Sequence, residues 1–443
     1  MTWQVHRLVP SLTEGAPDAD TATWIRAMMA AFLGPRPGPE EIATMAASYA
    51  GQRLRGVYET ADTSPVATLR SWDTAMTVPG GEVAVDAISS IGVRATHRRR
   101  GLLRALLVDD LAEAVRAGTP VAALTSTQGS LYERFGFGLA AWTRSLTLDT
   151  RAARFRDAGP TGRLRTLDPA GFASVAGPIQ DRARRRHPGS MDRSAASWHA
   201  LITGGLYDSS PRSAIAWADA TGRPAGYVVY GVAESWWGTG SATLAVHDLQ
   251  ATTPESYREL WRHLGSLDLV GEVGWANASL DEPLPWLLTD HRAVGSGGPR
   301  DMLWLRVLDV PAALGARRYP VTDRIVLRVH DPDRHAEGGW ALDTTDPVTP
   351  AVAATTDAPD VEMDAAALGS LYLGGVDPGS SPGPGGSPST APAPPAASPG
   401  SSPRPGCPGT GSASNRSAAG RNAARRRRPP PGAGRATRRP GCW

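Results

Sequence analysis

The sequence predicts a mixed α/β (α+β) protein made of more than one module. Three observations carry that expectation. A strand–loop–helix pattern at residues 82–118 returns in outline at 242–264. The length, 443 residues, exceeds what one ordinary core accommodates. Composition also breaks abruptly after Val376.

The first strand–loop–helix unit is clear. "EVAVDAISSIGV" (Glu82 to Val93) is β-branched and apolar with partial alternation, so it reads as a strand. "RATHRRRG" follows as a basic loop ending at Gly101. Leu103, Leu106, Leu107, Leu111, Ala114 and Val115 then fall at helical spacing, and Gly118 supplies a stop. "PVAALTS" (Pro120 to Ser126) is a short second strand. "QGSLYERFGFG" (Gln128 to Gly138) reads as a loop, one or two helical turns and a glycine-rich exit.

The central region repeats part of this design. "GRPAGYVVYGV" (Gly222 to Val232) reads as a hairpin strand, and "ATLAVHDLQATTPESYRELWRHL" (Ala242 to Leu264) as strand, loop and helix. Thr253 is the expected N-cap and Pro254 the first helical residue. Its loop, "HDLQATTPE", lacks both arginine and glycine. From Arg300 onward come strand-like "MLWLRVLDV" and "RIVLRVH", then the helix start "VEMDAAALGSLYL".

Residues 377–443 are different in kind. They contain 15 prolines and 10 arginines, with Asp377 as their one acid. Such a segment buries too little apolar surface to offset its ordering entropy, and we read it as disordered. Gly379-Ser380-Ser381-Pro382-Gly383 matches Gly-x-Ser-x-Gly, but a Pro/Gly/Ser tract offers neither the strand nor the helix of a nucleophile elbow. Ten arginines against one aspartate give the tail +9, so a whole-chain charge of +3 leaves −6 on residues 1–376. The body is mildly acidic, and no nucleic-acid partner is expected for it. Arg425 to Arg428 in the tail could contact phosphates.

Other classes are excluded. All 46 basic residues are arginine, so neither a P-loop lysine nor a Schiff-base lysine exists. No run of about 18 apolar residues suggests a membrane span, and the N-terminus lacks a signal-peptide h-region. Cys407 and Cys442 are the two cysteines, so no Cys-x-x-Cys metal site exists and no metal is expected. These features suit the cytoplasm.

The basic loop opens directly into a helix. Free N–H groups at a helix start carry partial positive charge, and arginines add charge-assisted hydrogen bonds. The arrangement suits a pyrophosphate, although Gly-x-Gly-x-x-Gly is not present. Arg98 to Leu103 resembles the acetyl-CoA motif of the GCN5-related N-acetyltransferases (GNAT), Arg/Gln-x-x-Gly-x-Gly/Ala, with Leu103 where Gly or Ala is usual. With "LTSTQGSLYERFGFG", "RRRHPGSMDR" and "PDVEMDAAALGSLYLGG", the chain resembles the Eis (enhanced intracellular survival) family of these enzymes over residues 1 to about 376.

The resemblance implies tandem GNAT-like domains followed by a sterol-carrier-protein-like domain. The implied boundaries are 1–148, 149–295 (GNAT-like without a CoA loop), 296–376 (incomplete) and 377–443 (tail). By motif position, Ile91, Gly92 and Val93 would pair with the pantetheine arm of acetyl-CoA. Arg99, Arg100, Gly101, Leu102, Leu103 and Arg104 would wrap the pyrophosphate. Thr127 and Gln128 would lie beside the thioester, where the family more often has Ser-Glu, and Tyr132 would be the general acid. A phenol of pKa near 10 suits protonation of a departing thiolate. The acceptor would be an amine of a small polycation such as an aminoglycoside, and the assembly a homohexamer. Trp24 and Trp72 are candidate walls of the acceptor pocket. His97 has no evident partner in the sequence and reads as structural.

In the family, the terminal α-carboxylate serves as general base. Here the pattern that carries it is replaced by the tail, which has the bias of GC-rich DNA read out of frame. The tail therefore reads as a frameshift product with the carboxylate displaced to Trp443, the other reading being a genuine tail that delivers the Trp443 carboxylate on a flexible arm. The expected function is acetyl-CoA-dependent N-acetylation of an amine, and the alternative is a CoA-binding protein of impaired turnover.

Overall fold

The computed structural model describes residues 3–13, 16–59, 63–156, 161–204, 210–234, 241–346 and 348–376. The tail, and with it the expectations of disorder and of a displaced terminus, lies outside the described residues.

Local signals account for the helices. The chain opens with β1 (Val5–Leu8), then α1 (Ala19–Ala31), whose N-cap Asp18 accepts from the Thr21 N–H at 2.8 Å. Pro39 opens α2 (Pro39–Ser48), and the Glu41 carboxylate accepts from the Gly38 N–H at 2.7 Å. Next come β2 (Arg53–Val57), β3 (Ala67–Val78), β4 (Gly81–Val93), α3 (Leu102–Arg116), β5 (Val121–Leu124) and β6 (Gly138–Asp149). The strand, helix and second strand read from 82–126 are thus β4, α3 and β5.

The central region supplies β7 (Arg163–Leu167), α4 (Phe172–Arg184), α5 (Ala195–Thr203), β8 (Arg212–Ala218), β9 (Pro224–Glu234), β10 (Ala242–Ala251), α6 (Pro254–Gly265) and β11 (Val270–Ala278). Thr253 caps α6 as expected, accepting from the Ser256 N–H at 3.1 Å. The chain from Arg300 onward supplies β12 (Arg300–Val307), α7 (Val310–Gly315), β13 (Arg324–His330), β14 (Gly338–Asp343), β15 (Ala351–Ala354), β16 (Val361–Asp364) and α8 (Ala365–Leu371).

Two sheets organise these elements. The larger runs β1-β2-β3-β4-β5-β12-β6-β11-β10-β9-β8-β7, and the smaller runs β15-β14-β13-β16. β12, read from sequence together with the third module, lies in the large sheet. It pairs antiparallel with β5 (Trp304 opposite Leu124) and with β6 (Leu305 opposite Gly138). The long β6 pairs farther along with β11, so one strand serves both repeats.

One core joins the first and third modules. Val85, Val121, Leu305 and Val307 of the large sheet pack with Val329, Leu368 and Tyr372. Each fully buried large aliphatic contributes about 1.5–3 kcal/mol relative to exposure. α8 lies directly on the sheet backbone: a Cβ at Gly138 would stand 1.8 Å from the Ala366 carbonyl oxygen. The last glycine of "FGFG" is therefore required by close approach.

A second group, between β2, β3, β4 and α3, is polar and buried. Arg55 Nη1 lies 2.5 Å from Asp110 Oδ1, and Arg53 Nη2 lies 2.6 Å from Asp86 Oδ1. The Ser71 hydroxyl donates to Asp110 at 2.7 Å.

Candidate active site

The cleft begins where two strands part. β4 and β5 are parallel, in register from Val85–Val121 to Ile88–Leu124. β4 then continues to Val93, beyond the end of β5. A register shift against β3 marks a bulge here, where Ser90 takes φ 53° and its carbonyl accepts from the Thr68 hydroxyl at 3.1 Å. Beyond the last β5 partner, alternate backbone groups of Ile91–Val93 face the cleft instead of a strand.

The arginine loop closes one end. Arg99 (φ 63°) and Gly101 (φ 81°) both adopt left-handed backbone, which turns successive N–H groups toward one side. Gly101 is the N-cap of α3, and a Cβ there would meet nothing within 4 Å, so its dihedral and not space demands glycine. Having no side chain, Gly101 cannot cap Leu102, Leu103 and Arg104, whose N–H groups remain available to an anion.

These features line one cavity of about 800 Å³. Its wall includes Ile91, Gly92, Val93, Arg99, Gly101, Leu102, Leu103, Arg104, Thr127, Gln128 and Tyr132. Of the twelve residues expected from sequence, Arg100 stands apart: its Nη1 turns to within 3.9 Å of Glu59. Tyr132 is 7 % exposed and meets Phe137 edge-on at 6.2 Å between ring centroids. Burial pushes its phenol up to about 12, so the group keeps its proton across the neutral range.

Further wall residues escaped the sequence reading. Arg98, Leu131, Arg134 and Phe135 flank expected positions, whereas Ala31 and Phe32 arrive from the end of α1. His97 also lines the cavity, and it does have a partner: Nε2 lies 2.9 Å from Glu59 Oε1, and Nδ1 lies 2.8 Å from the Thr96 hydroxyl. Neither proposed tryptophan lines it. Trp24 is fully buried beneath α1 and donates to the Arg55 carbonyl at 2.7 Å. Trp72 is half-buried, with Arg70 over its ring at 4.9 Å.

The central repeat has the same strand opening with a different helix start. β10 and β11 are parallel up to Val246–Trp275, and β10 runs on to Ala251. On the β9–β10 side of this strand, Arg193 Nη1 lies 2.5 Å from Asp248 Oδ2 and 3.0 Å from the Tyr227 hydroxyl. Burial opposes ionisation of Asp248, but the Arg193 guanidinium outweighs it and holds the carboxyl below its usual range. The start of α6 is closed by its own capping box: the Ser256 hydroxyl accepts from the Thr253 N–H at 3.2 Å.

Comparison with known proteins agrees with this geometry. Residues 14–140 and 189–307 each match an acetyltransferase (GNAT) domain model, and residues 310–381 match a sterol carrier protein domain model. The chain is 34 % identical over 396 residues to an uncharacterized N-acetyltransferase of Streptomyces griseus, covering 84 % of this chain and 90 % of that one. It is 37 % identical over 320 residues to N-acetyltransferase Eis of Mycobacterium tuberculosis, covering 68 % of this chain and 74 % of that one. The crystal structure of Eis1 from Mycobacterium abscessus superposes with a TM-score of 0.70 at 30 % identity, covering 85 % and 90 % of the two chains. GNAT domains imply acetyl-CoA as cosubstrate. Among the described residues, no helix is long and apolar enough to cross a membrane. The chain belongs to the Eis family of GCN5-related N-acetyltransferases, with two GNAT domains and a sterol-carrier-protein-like domain.

Proposed function

We propose that this cavity transfers the acetyl group of acetyl-CoA to an amine of a small polycation such as an aminoglycoside. The observation that carries the reading is the convergence of the β4 backbone, the uncapped start of α3 and Tyr132 on one cavity. Ile91, Gly92 and Val93 hold the pantetheine arm. Arg99, Gly101, Leu102, Leu103 and Arg104 hold the pyrophosphate, with Arg100 contributing long-range charge. Thr127 and Gln128 flank the thioester. The amine attacks the thioester carbonyl, forming a tetrahedral oxyanion that a free β4 N–H stabilises. The C–S bond then breaks, the thiolate takes its proton from Tyr132, the nitrogen gives up its extra proton to solvent, and solvent reprotonates the phenol.

The central domain holds no CoA in this reading, because the loop before α6 lacks arginine and glycine, Pro254 has no N–H, and Thr253 takes the Ser256 N–H. The domain divisions at 148, 295 and 376, a cytoplasmic location and a homohexameric assembly belong to the same proposal. The charge of −6 on residues 1–376 suits a polycationic acceptor.

One observation favours a second reading, CoA binding with impaired turnover. Among the described residues, no carboxylate lines the cavity, and His97 is bonded through both ring nitrogens. A thiol-release assay against a panel of amines decides between them. Acetyl transfer predicts amine-dependent CoA release that Tyr132→Phe slows by about 10²–10⁴; the second reading predicts CoA affinity with no release for any amine.

A further inference from the structure

The loop between β13 and β14 belongs to the sterol-carrier-like domain, yet it reaches the cosubstrate side of the first domain. It is held firmly. Both carboxylate oxygens of Asp331 accept from Arg306 Nη2, at 2.9 and 3.0 Å, and Arg306 is fully buried on β12. The N–H groups of Asp333, His335 and Ala336 donate to the same carboxylate at 3.1, 3.0 and 2.9 Å. From this fixed loop, Asp333 Oδ1 accepts from Arg104 Nη2 at 2.6 Å.

Arg104 needs such a partner. It is the third residue of α3, where the helix dipole disfavours a cation. Its side chain is about half exposed, at 55 %, and free arginines there sample many rotamers. Two contacts restrict it: the Phe135 ring, 5.8 Å from Cζ, and Asp333. A guanidinium carries five donors, so one bond to Asp333 leaves others for a phosphate. Repulsion between Asp333 and that phosphate is offset by Arg306 Nη2, 3.9 Å from Asp333 Oδ2.

We propose that Asp333 is a positioning residue for cosubstrate binding, holding Arg104 at the pyrophosphate cradle so that the third domain takes part in acetyl-CoA recognition. The inference rests on the assignment of the cavity to acetyl-CoA.

Titration calorimetry of CoA into the full chain tests it. Asp333→Asn weakens CoA binding about two- to tenfold, the range set by the ordering of one long side chain. Arg104→Ala weakens it at least as much, and the double variant binds like Arg104→Ala alone. Asp333→Glu, which keeps the carboxylate, recovers part of the affinity. The proposal is overturned if Asp333→Asn binds CoA as tightly as the unchanged chain while Arg104→Ala does not. Losses that simply add in the double variant overturn it equally, since they mean general damage. An unchanged chain that binds no CoA defeats the cavity assignment itself, and this proposal with it.

Discussion

Asp86 on β4 and Asp110 on α3 are neighbouring carboxyl groups with both side chains out of solvent, Asp86 beside Arg53 and Asp110 beside Arg55. Burial raises both, and for Asp86 the neighbouring Asp110 charge raises it further, against the pull of Arg53. The folded protein therefore retains a proton here that the unfolded chain gives up in the ordinary carboxylate range. Stability contributed by this site is fully present at low pH and declines as pH rises through the raised value. Melting temperature measured from pH 5 to 9 should fall on the alkaline side. Asp86→Asn, which keeps a donor and cannot ionise, should flatten that fall; an identical alkaline slope in the variant would remove Asp86 as its source.

Tyr132→Phe should lower kcat by about 10²–10⁴, the usual cost of losing a general acid. The ring remains against Phe137, so acetyl-CoA affinity should hold. Because burial pushes the phenol up to about 12, its ionisation should not limit the rate below about pH 10. Pre-steady-state thiol release across pH checks both statements.

Gly101→Ala forces a Cβ into left-handed backbone at φ 81°. The strain is about 1–2 kcal/mol, and the chain relieves it by rotating the first N–H groups of α3 away from the cavity. Calorimetry should show weaker CoA binding accompanied by a modest loss of stability. Unchanged affinity would mean that these N–H groups do not hold the cosubstrate.

Leu305→Ala should destabilise the fold by about 2–5 kcal/mol in denaturant unfolding, because Leu305 is fully buried where the large sheet meets Val329 and Leu368. The loss should appear in the transition of the third domain as well as the first. A change confined to one transition would contradict a shared core.

What could be read from sequence was local. β4, α3 and the α6 cap announce themselves through periodicity, a glycine and a Thr-Pro pair, all within a few residues of the groups they position. What escaped depends on distant partners. His97 looked solitary because Glu59 lies 38 residues upstream. Trp24 looked like a pocket wall because an aromatic pattern does not say which side of a helix the sheet covers. β12 was grouped with the strands that follow it, since sheet order is set by long-range pairing and not by chain order. That Arg104 would line the cavity was legible, but its counter-ion, 229 residues away, was not.

The position of β12 also dictates a timetable. β5 and β6 are synthesised by Asp149, yet the strand that lies between them starts at Arg300. At about 5–20 residues per second, the ribosome takes roughly 8–30 s to span that interval. Throughout it, the nascent catalytic domain carries a gap flanked by two unpaired strand edges, open to any passing extended segment. The first domain therefore cannot mature as an independent N-terminal unit. It waits for the chain to come back, and the cleft beside β5 takes its final shape after most of the central repeat has emerged.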